Sequence, residues 1–302
     1  MGRRMKILLL ATMVLLALGN LIGCGKRPEE IQNQFTELIA AKAEPESMAE
    51  TAELLDKYLG RMDKKSASEM LVLYEDFVLQ YINTDSDQPL MQSLSTFYKD
   101  GQIQESLIKK DETMQGYYNL LANAYIRVVK RGDKICLQLD YQRLYDQFKK
   151  SISPSLADLY QLRATIAAKP ATENAVIQIP YKELLDRALS VEGLIDRYRG
   201  DPLIEEDVKW LYTNYLNLII LGSTNSPCFD YQTGEFSQEV KDQYNQFIAE
   251  HPDTVIAWAL REYEKYLKSI DYKINYKDKD MSKAHFENCG RIISEAEKRV
   301  FQ

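Results

Sequence analysis

His285 and Cys289 stand four residues apart on a predicted helix, a spacing at which imidazole and thiolate can face one metal ion. Two ligands do not complete a zinc site. Cys289, Ile292, Ile293 and Ala296 continue one apolar helix face, so the pair is expected to pack rather than to bind metal. His251, the other histidine, precedes Pro252 at a predicted helix end, where it caps the helix or faces solvent. Asn83-Thr84-Asp85-Ser86-Asp87 offers oxygens at alternate positions, as a calcium loop begins. Gln88 and Leu94 then stand where an EF-hand needs glycine and glutamate, so a helix-capping turn is expected instead. The chain has no Gly-x-Ser-x-Gly elbow, phosphate-binding glycine loop or His-Glu-x-x-His helix, and carboxylate pairs drawn from 45 acidic residues carry no information about glycosidase chemistry. These residues supply no catalytic set, no metal set and no cofactor motif.

Cys24 is different, because the segment before it explains it. Arg3, Arg4 and Lys6 form a charged n-region, and an apolar run from Ile7 to Leu18 follows, interrupted by Thr12 alone. Twelve helical residues rise about 18 Å, short of the roughly 30 Å hydrocarbon core, so a permanent span is the poorer reading. Leu21-Ile22-Gly23-Cys24 resembles the lipobox of bacterial lipoproteins. That resemblance implies a signal peptide at 1–23, cleavage after Gly23, a diacylglyceryl group on the Cys24 sulfur, and often a further acyl chain such as palmitate on the new amino terminus. Two chains, at about 0.8 kcal/mol per buried CH₂, hold a protein firmly to a membrane. The implied location is the extracytoplasmic face of the bacterial cell envelope, anchored through Cys24.

Loss of residues 1–23, with three basic and no acidic side chains, takes the formal charge from −7 to −10. An acidic domain argues against nucleic acid, whose phosphates must be neutralised by Lys and Arg, and against a second electrostatic hold on anionic lipid. Apart from Cys24, Cys136, Cys228 and Cys289 allow one disulfide at most; buried free thiols are expected, and the sequence does not choose among the pairings. Glycine is scarce, at 13, which favours helices over folds rich in tight turns.

Helical periodicity supports this along the chain. Met70, Leu73, Tyr74, Phe77 and Tyr81 form one stripe, preceded by a Ser66-Ala67-Ser68-Glu69 capping box. Met114, Tyr117, Tyr118, Leu121, Tyr125 and Val128 form the next, with Asp111 as N-cap and Lys130-Arg131-Gly132 as a basic last turn and C′ glycine. Leu137, Tyr141, Leu144, Tyr145 and Phe148 follow, and Ser153-Pro154 and Asp201-Pro202 each pair an N-cap with an N1 proline. The stripe from Ile204 through Tyr212 and Tyr215 ends near Gly222, and further stripes run from Val240 to Ile248 and from Ile256 through Tyr263 to Ile270. Helices are predicted to start near 47, 66, 87, 111, 133, 153, 180, 201, 237, 253 and 282. Ala175 to Ile179 alone reads as a strand, and Gly222–Gly234 and Asp271–Asp280 read as loops.

Three helices close on similar phrases, Glu53 to Tyr58, Gly193 to Tyr198 and Gln246 to His251. Phe247-Ile248-Ala249-Glu250-His251-Pro252-Asp253-Thr254 resembles the helix junctions of tetratricopeptide-like envelope lipoproteins. That resemblance implies a stack of α-hairpins, although neither Trp210 nor Trp258 opens the phrase such a repeat requires. The expected fold is all-α: an irregular stack of antiparallel helical hairpins. Residues 1–23 form the signal peptide, 24–45 a lipidated tether with a first short helix, and 46–302 the extracytoplasmic domain. The expected role is a protein- or peptide-binding or scaffolding module of the envelope. A small-molecule or glycan-binding lipoprotein is the alternative, and an envelope enzyme the third reading. Tyrosine is the most distinctive residue, at 20. On helical stripes it is usually core, yet it is also enriched at recognition surfaces, and Tyr117, Tyr118, Tyr125, Tyr212, Tyr215 and Tyr263 are the candidates for an aromatic binding surface.

Overall fold

The computed structural model describes residues 28–84 and 89–302. The proposed signal peptide, Cys24, and Asp85-Ser86-Asp87 of the calcium-like stretch lie outside the described residues. Thirteen helices and four small antiparallel strand pairs are present among those described, so the fold is an all-α array. No helix of the described residues is long and apolar enough to cross a membrane. The chain divides into two compact units, Met1–Ala164 and Thr165–Gln302.

In the first unit, α1 (Pro28–Ala40) packs on α2 (Pro45–Tyr58), which packs in turn on α3 (Lys64–Thr84). Pro45 occupies the first turn of α2, where its missing N–H is harmless, and Glu44 and Ser47 close a reciprocal capping box. The box expected at Ser66 is not the start of α3. Asp63 Oδ1 accepts the N–H groups of Lys65 and Ser66 at 3.1 and 3.0 Å and opens the helix earlier. Met70, Tyr74, Phe77 and Tyr81 are buried as the stripe requires.

After α4 (Pro89–Ser95), the ribbon β1 (Tyr98–Lys99) with β2 (Gln102–Ile103), and α5 (Glu105–Ile108), α6 covers Glu112–Asn123. Asp111 Oδ1 caps α6 by accepting the Met114 N–H at 3.0 Å. Here the expected stripe breaks: Tyr125 takes a left-handed φ of 56°, and the chain continues as β3 (Ile126–Arg131) and β4 (Lys134–Leu139). Ile126 pairs with Leu139 and Arg131 with Lys134. Gly132 is therefore a hairpin turn residue rather than a helix cap, and no helix starts near 133. The β-branched Ile126, Val128 and Val129 suit a half-buried ribbon better than a helix. Asp140 then caps α7 (Tyr141–Phe148), so Leu137 of the expected stripe stands in β4, while Ser153 precedes α8 (Pro154–Ala168) as read from the sequence.

In the second unit, β5 (Thr172–Glu173) and β6 (Val176–Ile177) flank Asn174 and Ala175, both with positive φ, so the expected strand finds its partner in the residues just before it. Next come α9 (Tyr181–Arg197) and α10 (Glu205–Leu221), which pack on each other. Asp201-Pro202 does not open α10 directly; Asp201 Oδ1 accepts the Leu203 N–H at 2.9 Å in a turn that precedes it. Gly222 ends α10 at φ 73°, and β7 (Gly222–Ser223) pairs with β8 (Ser226–Pro227). The final helices α11 (Gln238–Glu250), α12 (Val255–Ser269) and α13 (Lys279–Val300) pack in succession, with α13 also against α10. Tyr58 ends α2, and Tyr198 and His251 cap α9 and α11, so the three similar phrases do close helices.

Candidate cleft between two loops of the second unit

The two loops set apart in the sequence meet. Asp230 Oδ1 accepts the N–H groups of Gln232 and Thr233 at 2.8 and 2.7 Å, a tight turn whose bonds, the Thr233 one foremost, hold the Asp230 carboxyl below its usual range. The backbone then doubles back: the Asp230 N–H donates to Glu235 O at 2.9 Å, and Phe229 pairs with Phe236. This loop is joined to the segment after α12. The Phe236 N–H donates to Tyr272 O at 2.9 Å, and the Ile274 N–H to Gly234 O at 2.8 Å. Gly234, at φ 72°, is required there because a Cβ would lie 2.0 Å from the Ile274 carbonyl oxygen.

The other side of the junction is strained. The Tyr272 N–H donates to Leu267 O at 2.8 Å and the Asp271 N–H to Lys268 O at 3.3 Å, closing α12 in a Schellman arrangement. Its left-handed position belongs to Asp271 at φ 50° rather than to glycine, and Tyr272 follows at φ 53°.

Between the loops lies an open cleft of about 840 Å³ whose lining includes Tyr231, Gln232, Asp271, Tyr276 and Lys277. That volume falls within the roughly 300–1,000 Å³ typical of small-molecule sites. Tyr231 is 60% exposed, yet its hydroxyl donates to Thr224 O at 3.2 Å, and its ring lies 5.4 Å from that of Tyr276 at a 59° tilt. Tyr276 rests edge-on against Phe229, 6.5 Å away, and burial pushes its hydroxyl up to about 12. Gln232, Asp271 and Lys277 make no side-chain bond to any described residue, whereas Lys273 pairs with Glu235 at 3.5 Å.

Phe229 also touches His285, at 5.2 Å, on the buried side of this region. His285 and Cys289 are both buried, with Sγ 3.7 Å from Nε2. Burial lowers the imidazole to about 4 and raises the Cys289 thiol to about 12. Cys228, also buried, is raised to about 11, with its Sγ 3.1 Å from the Tyr181 hydroxyl. At neutral pH these are an imidazole without charge and two thiols, packed as apolar groups. No group of three or more His, Cys, Asp or Glu side chains among the described residues could hold a metal ion.

Of the six candidate tyrosines, only Tyr118 is partly exposed; Tyr117, Tyr125, Tyr212, Tyr215 and Tyr263 are buried, and no shared aromatic face reaches solvent through them. Three of their hydroxyls bond other side chains of the fold, and that of Tyr263 is buried without a hydrogen bond among the described residues. Tyr117 bonds Tyr81 at 2.9 Å, Tyr125 donates to Asp56, and Tyr212 donates to Glu192 at 3.3 Å. Buried Glu192 also accepts the N–H groups of Val255 and Ile256, at 2.7 and 3.1 Å, and so caps α12 from a distance in sequence. In the first unit, buried Glu75 accepts from Tyr141 and Tyr160 at 2.8 Å each and pairs with Arg163. Sequence reasoning missed Tyr231 and Tyr276, and the signal was their place off every stripe, inside the two loops. Comparison with known protein families, curated proteins and solved structures gives no match for this chain.

Proposed function

We propose that this chain is a membrane-anchored extracytoplasmic lipoprotein of the bacterial envelope that holds a ligand in the loop cleft of its second unit. The cleft carries the reading: an exposed tyrosine pinned by its own hydroxyl stands beside side chains left without a protein partner. Most of the stripe tyrosines are buried with their hydroxyls bonded inside the fold, so a ring kept in solvent at a fixed angle is suited to recognition. The lipobox ending at Cys24 supports the anchor. The helical-hairpin array, of the tetratricopeptide-like kind, then serves as a rigid carrier for the loops. Its mixed polar lining with two tyrosines suits a small hydroxyl-rich ligand such as a saccharide, and a peptide segment is the second reading.

The test uses the full-length protein in its native cells, with a photoreactive residue at Gln232 or, as a control on the same unit, at the 66% exposed Trp210. A discrete adduct from Gln232 that Trp210 does not give, and that Tyr231→Ala abolishes, is expected; equal labelling at both sites overturns the cleft. Mass spectrometry of the mature N-terminus checks the anchor: acyl mass on Cys24 is expected, and none in Cys24→Ala, which should accumulate as precursor.

A further inference from the structure

We infer that the cleft ligand is a carbohydrate chain, stacked on Tyr231 and Tyr276 and hydrogen-bonded by Gln232, Asp271 and Lys277; the inference rests on reading this cleft as the ligand site. The backbone around the cleft is already occupied. The Gly234 N–H donates to Asp230 O and its carbonyl accepts from the Ile274 N–H, while the Glu235 carbonyl accepts from the Asp230 N–H and the Tyr272 carbonyl from the Phe236 N–H. An extended peptide binds by adding to a free strand edge or by sinking apolar anchors into pockets. The edge is paired to itself, and of the non-aromatic apolar side chains lining the cleft Ile274 is buried and Ile270 and Met281 are half-buried, so a peptide finds no free edge and few apolar anchors.

What remains free is aromatic face and hydrogen-bonding side chain. The faces of aromatic rings are electron-rich, and the axial C–H face of a pyranose carries the complementary partial charge. Two rings 5.4 Å apart and tilted by 59° present a corner against which one sugar ring can lie. The Tyr231 hydroxyl is committed to Thr224 and Tyr276 is backed by Phe229, so neither ring has to be ordered when the ligand arrives. Sugar hydroxyls donate and accept at once. Gln232 supplies both a donor and an acceptor, Asp271 an acceptor and Lys277 a donor, and none of the three must break a protein bond first.

Asp271 strengthens the case independently. It occupies the left-handed position that ends α12, where glycine fits without strain. A carboxylate held there, partnerless and lining the cleft, is a backbone cost with no structural return, and such outliers gather at ligand sites.

The full-length lipidated protein, in a sugar-free detergent, is applied to an array of neutral and acidic oligosaccharides. Binding to at least one glycan is expected, reduced at least tenfold by Tyr231→Ala and by Asp271→Gly, and unchanged by Trp210→Ala. No glycan bound, or glycan binding indifferent to Tyr231 and Asp271, overturns the inference. The cellular adduct separates this failure from failure of the cleft itself: an adduct at Gln232 that survives periodate and whose added mass is shown by mass spectrometry to be peptide leaves the cleft as a ligand site and removes the sugar.

Discussion

Tyr212 and Tyr231 belong to the same unit and use the same side chain in opposite ways. Tyr212 has no exposed surface, and its hydroxyl completes the shell of Glu192, a buried carboxylate whose proton affinity is raised by desolvation first. Tyr231 keeps 60% of its surface in water and bonds only a loop carbonyl. On helical stripes this protein mostly uses tyrosine as an apolar body with a polar tip, as at Tyr74, Tyr160 and Tyr212, where the tip bonds a buried group. In the loops the hydroxyl fixes the ring and leaves its face open. If the proposed cleft binds a ligand, stability and recognition fall to different tyrosines, and substitutions should separate the two.

The largest loss is expected in the first unit, at Glu75. Glu75→Ala removes the acceptor of Tyr141 and Tyr160 and the partner of Arg163, whose side chain is itself mostly buried. Breaking a buried ion pair by removing one member costs about 3–5 kcal/mol, so denaturant unfolding should show the first unit near or beyond its limit of stability. Glu75→Gln, which keeps acceptors for the tyrosines, should lose less. A change below about 1 kcal/mol for the alanine variant would mean that the network is ornamental.

Next in size is a pH effect centred on His285. Its imidazole lies near 4 in the fold against the usual 6.5, because burial penalises the charged form. Between those values the unfolded chain takes up a proton that the folded chain refuses, so stability falls as pH drops through that window, by about 2–3 kcal/mol. His285→Leu should flatten this limb and leave the steeper carboxylate-driven loss near and below pH 4.5, to which Glu297, held low by Lys209, contributes. Unfolding midpoints measured from pH 7 to 4 decide it. Glu192→Ala, which orphans the Val255 and Ile256 N–H groups, should cost about 2 kcal/mol and leave the cleft's glycan affinity unchanged.

The stripes and caps made most of the helices legible: Asp111, Ser153-Pro154 and Gly222 mark helix ends that the structure reproduces. The β3–β4 ribbon was not legible because Tyr125 and Val128 continue the α6 spacing, and Gly132 serves equally as helix C′ and as hairpin turn. Pairing Ile126 with Leu139 decides between them, and that pairing is not local. Of the cleft, the sequence showed its two loops but not their meeting, because Gly234 against Ile274 is a contact across 40 residues. The proposed anchor is the reverse case: it is read wholly from the residues that end at Cys24, which lie outside the described residues.

Asp271→Gly sharpens the comparison from the stability side. Relieving one left-handed non-glycine residue should stabilise the protein by about 1 kcal/mol, visible as a rise in melting temperature, while glycan binding falls. A variant that gains stability and keeps binding would show Asp271 to be an unoptimised helix end.

Tyr231→Ala gives the smallest expected change in stability and the cleanest test. A side chain 60% exposed loses little apolar burial on truncation, and its one hydrogen bond, to Thr224 O, is at the surface, where water replaces it. The unfolding midpoint should therefore stay within about 0.5 kcal/mol of the parent. Tyr212→Ala, by contrast, opens a cavity and deprives Glu192 of a donor, and should cost about 3–5 kcal/mol. If Tyr231→Ala destabilised the protein as strongly, the exposed ring would be a structural strut and its pinned hydroxyl a part of the loop's fold. Near-neutral stability together with lost adduct formation at Gln232 leaves ligand stacking as the reason for the ring.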